Sequence, residues 1–168
     1  TPSEELPRYI AAAKILGTNI LRLWCGGKNY ELFTEDEKKD LFAECRKLAQ
    51  VAEKEQVMLC MECHNNTFTN VKEGALELME AVNSEAFGMY WQPNQNRTPE
   101  ENIAYATLLA PYTKHLHVFN WKGTEKYPLR LAADTWKQYL DCYPVCENRS
   151  LLLEFMPDDK LESLVTEA

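Results

Sequence analysis

Four short apolar runs, each ending in a polar side chain, most constrain how this chain can fold. They end at Glu62, Gln92, His117 and Glu154. Apolar runs of this length are typical of parallel strands that are covered on both faces. Amphipathic helical patterns separate the runs, so we expect helices to join the strands. The carboxyl ends of such strands share one edge of a sheet or barrel, which is where active sites form in these folds.

The whole pattern predicts six helices alternating with five strands. Helix starts are clearest at Thr34, which forms a capping box with Glu37, and at Thr98, which is followed by Pro99 at the first helical position. The predicted helices cover 7–17, 34–54, 70–82, 98–109, 132–139 and the segment from Pro157-Asp158-Asp159 to Ala168. The predicted strands cover 19–24, 57–62, 87–92, 114–119 and 150–154.

This alternation predicts an α/β fold with a parallel sheet, contained in one domain over residues 1–168. A closed TIM barrel needs roughly 200 residues or more for its eight βα units, and the pattern supplies about five. We therefore expect an incomplete parallel (β/α) barrel of the TIM type. An open five-stranded sheet is the alternative.

Composition excludes several classes of function. The net charge of −8 argues against a nucleic-acid partner, which would require a basic surface. The chain has no apolar run of about 18 residues, so we expect no membrane span.

Cys60 and Cys63 stand three residues apart on a predicted strand and point to opposite faces, so they should share neither a disulfide nor a metal. Reduced thiols favour a cytoplasmic location.

Strand alternation places a polar side chain on one face of every predicted strand and apolar side chains on the other. Each polar residue also has a structural interpretation, such as a core histidine, a helix-capping glutamate or a turn glutamine. Two buried carboxylates at one sheet edge are costly without a cation. Together with an imidazole and an amide oxygen they would suit a divalent metal. The residues that share a face are Arg22 with Trp24, Cys60 with Glu62 and His64, Tyr90 with Gln92, His115 with His117, and Leu152 with Glu154.

These segments resemble the xylose-isomerase-like barrel family of sugar and sugar-phosphate isomerases and epimerases. The resemblance spans essentially the whole chain, as the fourth to eighth strands of that barrel. The segments that carry it are Leu59-Cys60-Met61-Glu62-Cys63-His64-Asn65-Asn66, Tyr90-Trp91-Gln92-Pro93-Asn94, His115-Leu116-His117-Val118-Phe119-Asn120 and Leu151-Leu152-Leu153-Glu154-Phe155.

The resemblance implies one divalent ion, Mn²⁺, Mg²⁺, Co²⁺ or Zn²⁺, held by Glu62, Gln92, His117 and Glu154. Gln92 replaces the aspartate of the family, and the loss of its charge should lower metal affinity.

The implied activity is metal-dependent isomerisation or epimerisation of a sugar or sugar phosphate by proton transfer through an enediolate. Glu62 and Glu154 would exchange the protons. Substrate oxygens or phosphate would contact Arg22, His64, Asn94 and Lys122, while Trp24 and Trp121 could form apolar walls.

Three other functions stay open. The first is a sugar-binding barrel that has lost its chemistry, which Gln92 favours. The second is a polyol dehydratase of the same family. The third, an apurinic-site endonuclease, is disfavoured because it needs more metal ligands than three histidines allow. The predicted partner is a small-molecule sugar, and a homo-oligomer is compatible with the sequence.

Overall fold

The computed structural model describes residues 2–158 and 160–167, and it divides the chain into two compact units. The first unit runs to Tyr90 and the second starts at Trp91. Helices and strands alternate in both units, as the sequence predicts. The assignment of residues 1–168 to a single domain stays a prediction.

The first unit contains parallel strands joined by helices. Strand β1 pairs with β2 in a register that sets Arg22 beside Cys60, and β2 pairs with β3 in a register that sets Glu62 beside Tyr90. The last residue of β3, Trp91, belongs to the second unit. The elements are α1 Pro2–Ile15, β1 Ile20–Leu23, α2 Glu35–Lys54, β2 Met58–Glu62, α3 Lys72–Val82 and β3 Phe87–Trp91.

Helix α2 starts where its sequence signal predicts. The Thr34 hydroxyl accepts a hydrogen bond from the Glu37 amide, and the Glu37 carboxylate accepts one from the Thr34 amide. The Lys28 ammonium, which binds the Glu37 carboxylate, is the main cause that lowers the pKa of Glu37 to about 2. The apolar stripe of α2 is buried at Cys45, Leu48, Ala49 and Ala52.

An aromatic cluster anchors the loops of the first unit around Phe68, which is completely buried. The rings of Tyr30, Phe33 and Phe42 each meet the Phe68 ring edge to face, with centroids 5.0–5.5 Å apart. Helix α3 passes close to this cluster at Gly74. A Cβ atom there would overlap the carbonyl oxygen of Phe68 and lie 2.7 Å from Tyr30 Cδ2.

The second unit pairs two further strands in parallel, with Leu116 beside Leu151 and Val118 beside Leu153. Its core centres on Trp91, whose ring contacts those of Trp136, Tyr139 and Tyr143. A short antiparallel hairpin follows the first of these strands. The elements are α4 Pro99–Leu109, β4 Thr113–Val118, β5 Trp121–Lys122, β6 Glu125–Lys126, α5 Ala133–Leu140, β7 Leu151–Leu153 and α6 Leu161–Glu167.

The structure corrects three details of the prediction. Helix α1 begins at Pro2 rather than Pro7, because burial of Leu6 extends the helix past a proline in its second turn. The β5–β6 hairpin is not predicted, and α6 begins at Leu161 rather than Pro157.

Thr1, Asp159 and Ala168 lie outside the described residues. None of the helices in 2–158 and 160–167 has the length and apolarity needed to cross a bilayer.

Cys60 and Cys63 are both buried, and neither forms a disulfide. A different pair lies close together in the first unit. The Sγ atoms of Cys25 and Cys45 are 3.9 Å apart, and both side chains are buried. The hydrogen bond with Cys45 and then burial raise the pKa of Cys25, so its thiol stays protonated at neutral pH.

Replacing Gly74 by alanine should destabilise the protein even though alanine favours helices. The gain of about 1 kcal/mol in helix propensity is opposed by the overlap with the Phe68 carbonyl, and overpacking of this kind costs about 1–3 kcal/mol. We expect urea unfolding to show a net loss of stability for Gly74→Ala. Gly27→Ala is the matched control, because nothing lies within 4 Å of a Cβ there. Equal stability of the two variants would contradict this packing.

Thiol labelling of the native protein should distinguish exposed from buried cysteines. Cys146 is exposed and Cys142 is half-buried, whereas the other four thiols are buried. With Ellman's reagent at pH 8, we expect Cys146 to react first, Cys142 more slowly, and the remaining four only on unfolding. A fast phase of more than two thiols in native buffer would contradict this burial. Cys146→Ser should remove the fast phase selectively.

Candidate functional site

The first group of predicted site residues gathers around Glu62 at the carboxyl end of β2. The Glu62 side chain is only 4% exposed. Arg22 Nη1 and Trp24 Nε1 both donate hydrogen bonds to its Oε2 atom, the latter at 2.6 Å. Because Arg22 lies beside Cys60 in the sheet, Trp24 is carried to the level of Glu62 on the same face. The sequence prediction that Arg22 and Trp24 share a face is therefore confirmed.

His64 completes this group by stacking on Trp24, with ring centroids 4.4 Å apart and planes inclined by 23°. Its Nδ1 atom lies 2.7 Å from the carbonyl oxygen of Asn65. A carbonyl can only accept, so Nδ1 carries a proton and donates this hydrogen bond. The stack fixes the plane of the imidazole and leaves Trp24 more than half exposed.

Two residues of the first unit that the sequence prediction missed hold the end of β2 in place. Thr69 Oγ1 donates to the carbonyl oxygen of Glu62 at 2.6 Å, and Thr67 Oγ1 donates to that of His64 at 2.6 Å. Both threonines are buried. Their hydroxyls satisfy backbone carbonyls at the last residue of β2 and just beyond it. No spacing in the sequence signals this role, because the two threonines lie in a turn.

Tyr90 lies beside Glu62 in the register of β2 and β3. Burial is the main cause that raises the pKa of Tyr90, and the neighbouring Cys60 adds to it. The phenol is therefore protonated at neutral pH and can donate a hydrogen bond.

The second group of predicted site residues gathers around His117 at the end of β4. His117 Nδ1 lies 3.0 Å from Gln92 Oε1 and 3.3 Å from Glu154 Oε2. Gln92 directly follows β3, and Glu154 directly follows β7. The Glu154 amide donates to the Val118 carbonyl at 3.0 Å, so the β4–β7 pairing continues far enough to orient Glu154. The structure thus brings together three of the four predicted metal ligands within the second unit.

The two oxygen distances from His117 Nδ1 can be compared with the spacing of neighbouring ligands around a cation. Adjacent ligands of an octahedral ion with bonds of about 2.1 Å lie about 3.0 Å apart. The Gln92 and Glu154 oxygens lie at nearly that distance from His117 Nδ1. No cluster of three or more histidine, cysteine, aspartate or glutamate side chains with metal-binding geometry occurs in 2–158 and 160–167. In the second unit, the residue beside His117 and Glu154 is Gln92, whose side chain is an amide and so does not belong to these four residue types.

His115 has a structural role. Its Nδ1 atom accepts a hydrogen bond from the Ser150 amide at 2.8 Å, which fixes the entry into β7. Burial, with added repulsion from Arg149 and Lys114, lowers the pKa of His115. The imidazole is therefore neutral and acts as an acceptor, as this hydrogen bond requires.

The two remaining predicted substrate contacts, Asn94 and Lys122, line a cavity of about 370 Å³ in the second unit. The Asn94 backbone is held at both ends, since its amide donates to Asn102 Oδ1 and its carbonyl accepts from Asn102 Nδ2. Lys122 lies exposed in the hairpin. Trp121 also lines this cavity, as its predicted role as a wall would require.

The sequence model of a family described as xylose isomerase-like TIM barrel matches residues 3–138. The chain belongs to this family. No curated protein matches it significantly in sequence. The parallel strands and intervening helices of both units are those of an incomplete α/β TIM barrel, as predicted.

Solved structures similar to this chain share its fold at low sequence identity. One is the probable 3-DHS dehydratase AsbF from Bacillus anthracis, with a TM-score of 0.82 and 18% identity. Another is a xylose isomerase-like TIM barrel protein from Mycobacterium smegmatis in complex with magnesium, at 0.67 and 15%. A third is the D-allulose 3-epimerase from Methylomonas sp., at 0.67 and 16%. Each comparison covers 98% of this chain but only 67%, 63% and 61% of the other.

Removing the Arg22 guanidinium should destabilise the protein more than removing an exposed partner of an ion pair. Arg22→Met removes a charged donor from the buried Glu62 carboxylate, and we expect a loss of about 1–2 kcal/mol. Lys39→Met is the control, because the Lys39–Asp36 pair is largely exposed and should contribute below about 0.5 kcal/mol. Urea unfolding at neutral pH measures both. Equal losses would contradict a buried, charge-dependent role for Arg22.

Proposed function

We propose that this chain carries the site of a metal-dependent sugar or sugar-phosphate isomerase or epimerase. One observation carries the proposal. His117 Nδ1, Gln92 Oε1 and Glu154 Oε2 come from three separate strand ends, and the two oxygens lie 3.0 Å and 3.3 Å from the nitrogen, close to the spacing of neighbouring ligands around one cation. Membership of the xylose isomerase-like family supports the same proposal. Glu62, predicted as the fourth ligand, is proposed on the strength of its position at the end of β2.

The donor set fits a hard or borderline divalent ion. Carboxylate and amide oxygens suit Mg²⁺ and Mn²⁺, and an imidazole nitrogen extends the choice to Co²⁺ and Zn²⁺. A bound ion would polarise the substrate carbonyl and acidify the neighbouring C–H bond. To act as a ligand, His117 would present Nδ1 to the ion without a proton on that atom.

The protein side chains would transfer the protons. Glu154 is half-buried and would remove a proton from the carbon beside the carbonyl. Glu62 would return one, with Arg22 and Trp24 fixing its Oε2 atom so that Oε1 faces the substrate. Return to the neighbouring carbon isomerises the sugar, and return to the opposite face of the same carbon epimerises it. His64 Nε2 would accept a hydrogen bond from a substrate hydroxyl.

A second candidate is a sugar-binding barrel without chemistry. The contact of His117 with both Gln92 and Glu154 favours it, because the imidazole already has acceptors without an ion. The two candidates differ in whether divalent ions bind and whether a sugar turns over. A polyol dehydratase remains an alternative within the same family.

Calorimetric titration with Mn²⁺ tests the metal part of the proposal. We expect saturable binding that His117→Asn abolishes and Gln92→Asp tightens about tenfold, since a carboxylate adds a unit of charge at about 2 Å. His115→Asn is the matched control, a histidine on the same strand whose Nδ1 binds the Ser150 amide. It should leave Mn²⁺ affinity unchanged. Weaker binding by Gln92→Asp would contradict the ligand role of position 92.

A panel of ketoses, aldoses and their phosphates, followed by NMR in D₂O with Mn²⁺ present, tests the chemistry. Deuterium incorporation at the carbon beside the carbonyl is the expected result, and Glu154→Gln should abolish it. Mn²⁺ binding without any exchange on the panel would favour the sugar-binding barrel instead.

A further inference from the structure

Cys25 and Cys45 form a pair of buried thiols that the proposed site does not use. Cys25 comes two residues after the end of β1, and Cys45 lies on the buried stripe of α2. The two residues are 4% and 5% exposed, and their Sγ atoms are 3.9 Å apart. Both belong to the first unit. The sulfur atoms are thus in contact with each other while closed to solvent.

Little movement separates this pair from a disulfide bond. Bonded sulfur atoms lie about 2.0 Å apart, so the two Sγ atoms would have to approach each other by about 2 Å. Rotation about the Cα–Cβ bond of either residue moves its sulfur over a comparable distance, because Sγ is the only heavy atom beyond Cβ. The two positions are 20 residues apart in the chain, so the bond would close a long loop and restrict the unfolded chain.

Burial decides which reaction is open to these thiols. A bulky thiol reagent or a second protein chain cannot reach either sulfur in the folded protein, whereas a small oxidant such as hydrogen peroxide can enter through local fluctuations. Once one sulfur is oxidised, the other already lies beside it, so closure of the pair is favoured over any reaction with a molecule from solution. The raised pKa of Cys25 leaves little thiolate at neutral pH, so we expect the oxidation to be slow.

The backbone of Cys25 is held on its C-terminal side. Its carbonyl accepts a hydrogen bond from the Phe68 amide at 2.7 Å. Gly26 packs so closely on the Phe33 ring that a Cβ atom there would lie 2.8 Å from Cζ. Trp24, the residue on the other side, belongs to the proposed site through its indole N–H. A displacement of Cys25 would therefore act on Trp24 and on the hydrogen bond that its indole donates.

We propose that Cys25 and Cys45 are a redox-sensitive pair, which a peroxide converts into an intramolecular disulfide that ties the end of β1 to α2. The bond draws Cys25 towards the helix and shifts Trp24 with it. The structure holds both thiols in the reduced form. The inference does not rest on the proposed function, because the pair contains none of the proposed catalytic or metal-binding residues.

The reaction balances with one molecule of peroxide. One sulfur, after losing its proton, attacks a peroxide oxygen, the O–O bond breaks, and a sulfenic acid and one water molecule are formed. The second sulfur then attacks the sulfenic sulfur, the S–O bond breaks, and the thiol proton leaves with the hydroxyl group as a second water molecule. The two thiols give up two electrons, which the peroxide takes up.

Peptide mapping after oxidation tests whether the bond forms. The full chain is treated with hydrogen peroxide at neutral pH, alkylated in denaturant and digested with trypsin, which releases Cys25 in residues 23–28 and Cys45 in residues 40–46. The other four cysteines fall in different tryptic peptides. We expect mass spectrometry to find 23–28 linked to 40–46, and dithiothreitol to separate the two peptides.

Variants and thermal unfolding then assign the bond. Cys25→Ala and Cys45→Ala should each abolish the linkage. Cys146→Ser is the matched control, because it removes an exposed thiol and should leave the linkage intact. Oxidation should raise the midpoint of thermal unfolding by several degrees in the control and not in the two alanine variants.

Absence of the linked peptides, after exposure that has fully oxidised Cys146, would overturn the proposal. Linkage of Cys25 or Cys45 to any other cysteine of the folded protein would do the same. NMR of the four tryptophan indole N–H groups tests the effect on Trp24. We expect the signal that Trp24→Phe removes to move on oxidation while the other three stay in place, and a stationary Trp24 signal would overturn this coupling.

Discussion

Burial of the Glu62 carboxylate is the constraint on which the first unit's site depends. A carboxylate that is 4% exposed must find donors, and two of them are Arg22 on β1 and Trp24, which directly follows β1. That arrangement requires β1 and β2 to be paired in the observed register, because a shift by one residue would turn both donors to the opposite face. It also explains why Trp24 stays in place although it is more than half exposed. Its N–H binds Glu62, and its ring stacks on His64.

In the second unit, the side chains around His117 carry one negative charge fewer than they would with an aspartate at position 92. An aspartate at position 92 would place two carboxylates against the single imidazole of His117, an arrangement that a cation stabilises and that is costly without one. The amide of Gln92 accepts from the same Nδ1 atom without adding charge. In the proposed metal site, the amide at position 92 would lower the metal affinity and stabilise the metal-free protein. Both proposed functions, an enzyme of modest metal affinity and a sugar-binding barrel, are consistent with this geometry.

The periodic parts of the sequence predicted the fold well. Helix α4 begins and ends where its sequence signals place it, and the residues predicted to share a face in β1 do so. The β5–β6 hairpin could not be predicted because its two-residue strands are too short to alternate, and its turn depends on Gly123 in the left-handed region at φ 58°. The candidate metal ligands could be predicted because they are the polar residues at the ends of the predicted strands. The Thr67 and Thr69 hydroxyls, by contrast, follow from turn geometry that no spacing reveals.

A residue with a strained backbone, Phe155, lies between the β5–β6 hairpin and Glu154, the carboxylate beside His117. Phe155 follows Glu154 and has a φ of 54°, a conformation that costs a bulky side chain about 1–2 kcal/mol. Its ring is held by Trp121, with centroids 4.7 Å apart, and by Phe119 at 5.6 Å. These aromatic contacts offset the strain and fix the backbone from which Glu154 projects. Through its contact with Phe155, Trp121 thus supports the orientation of Glu154 beside His117.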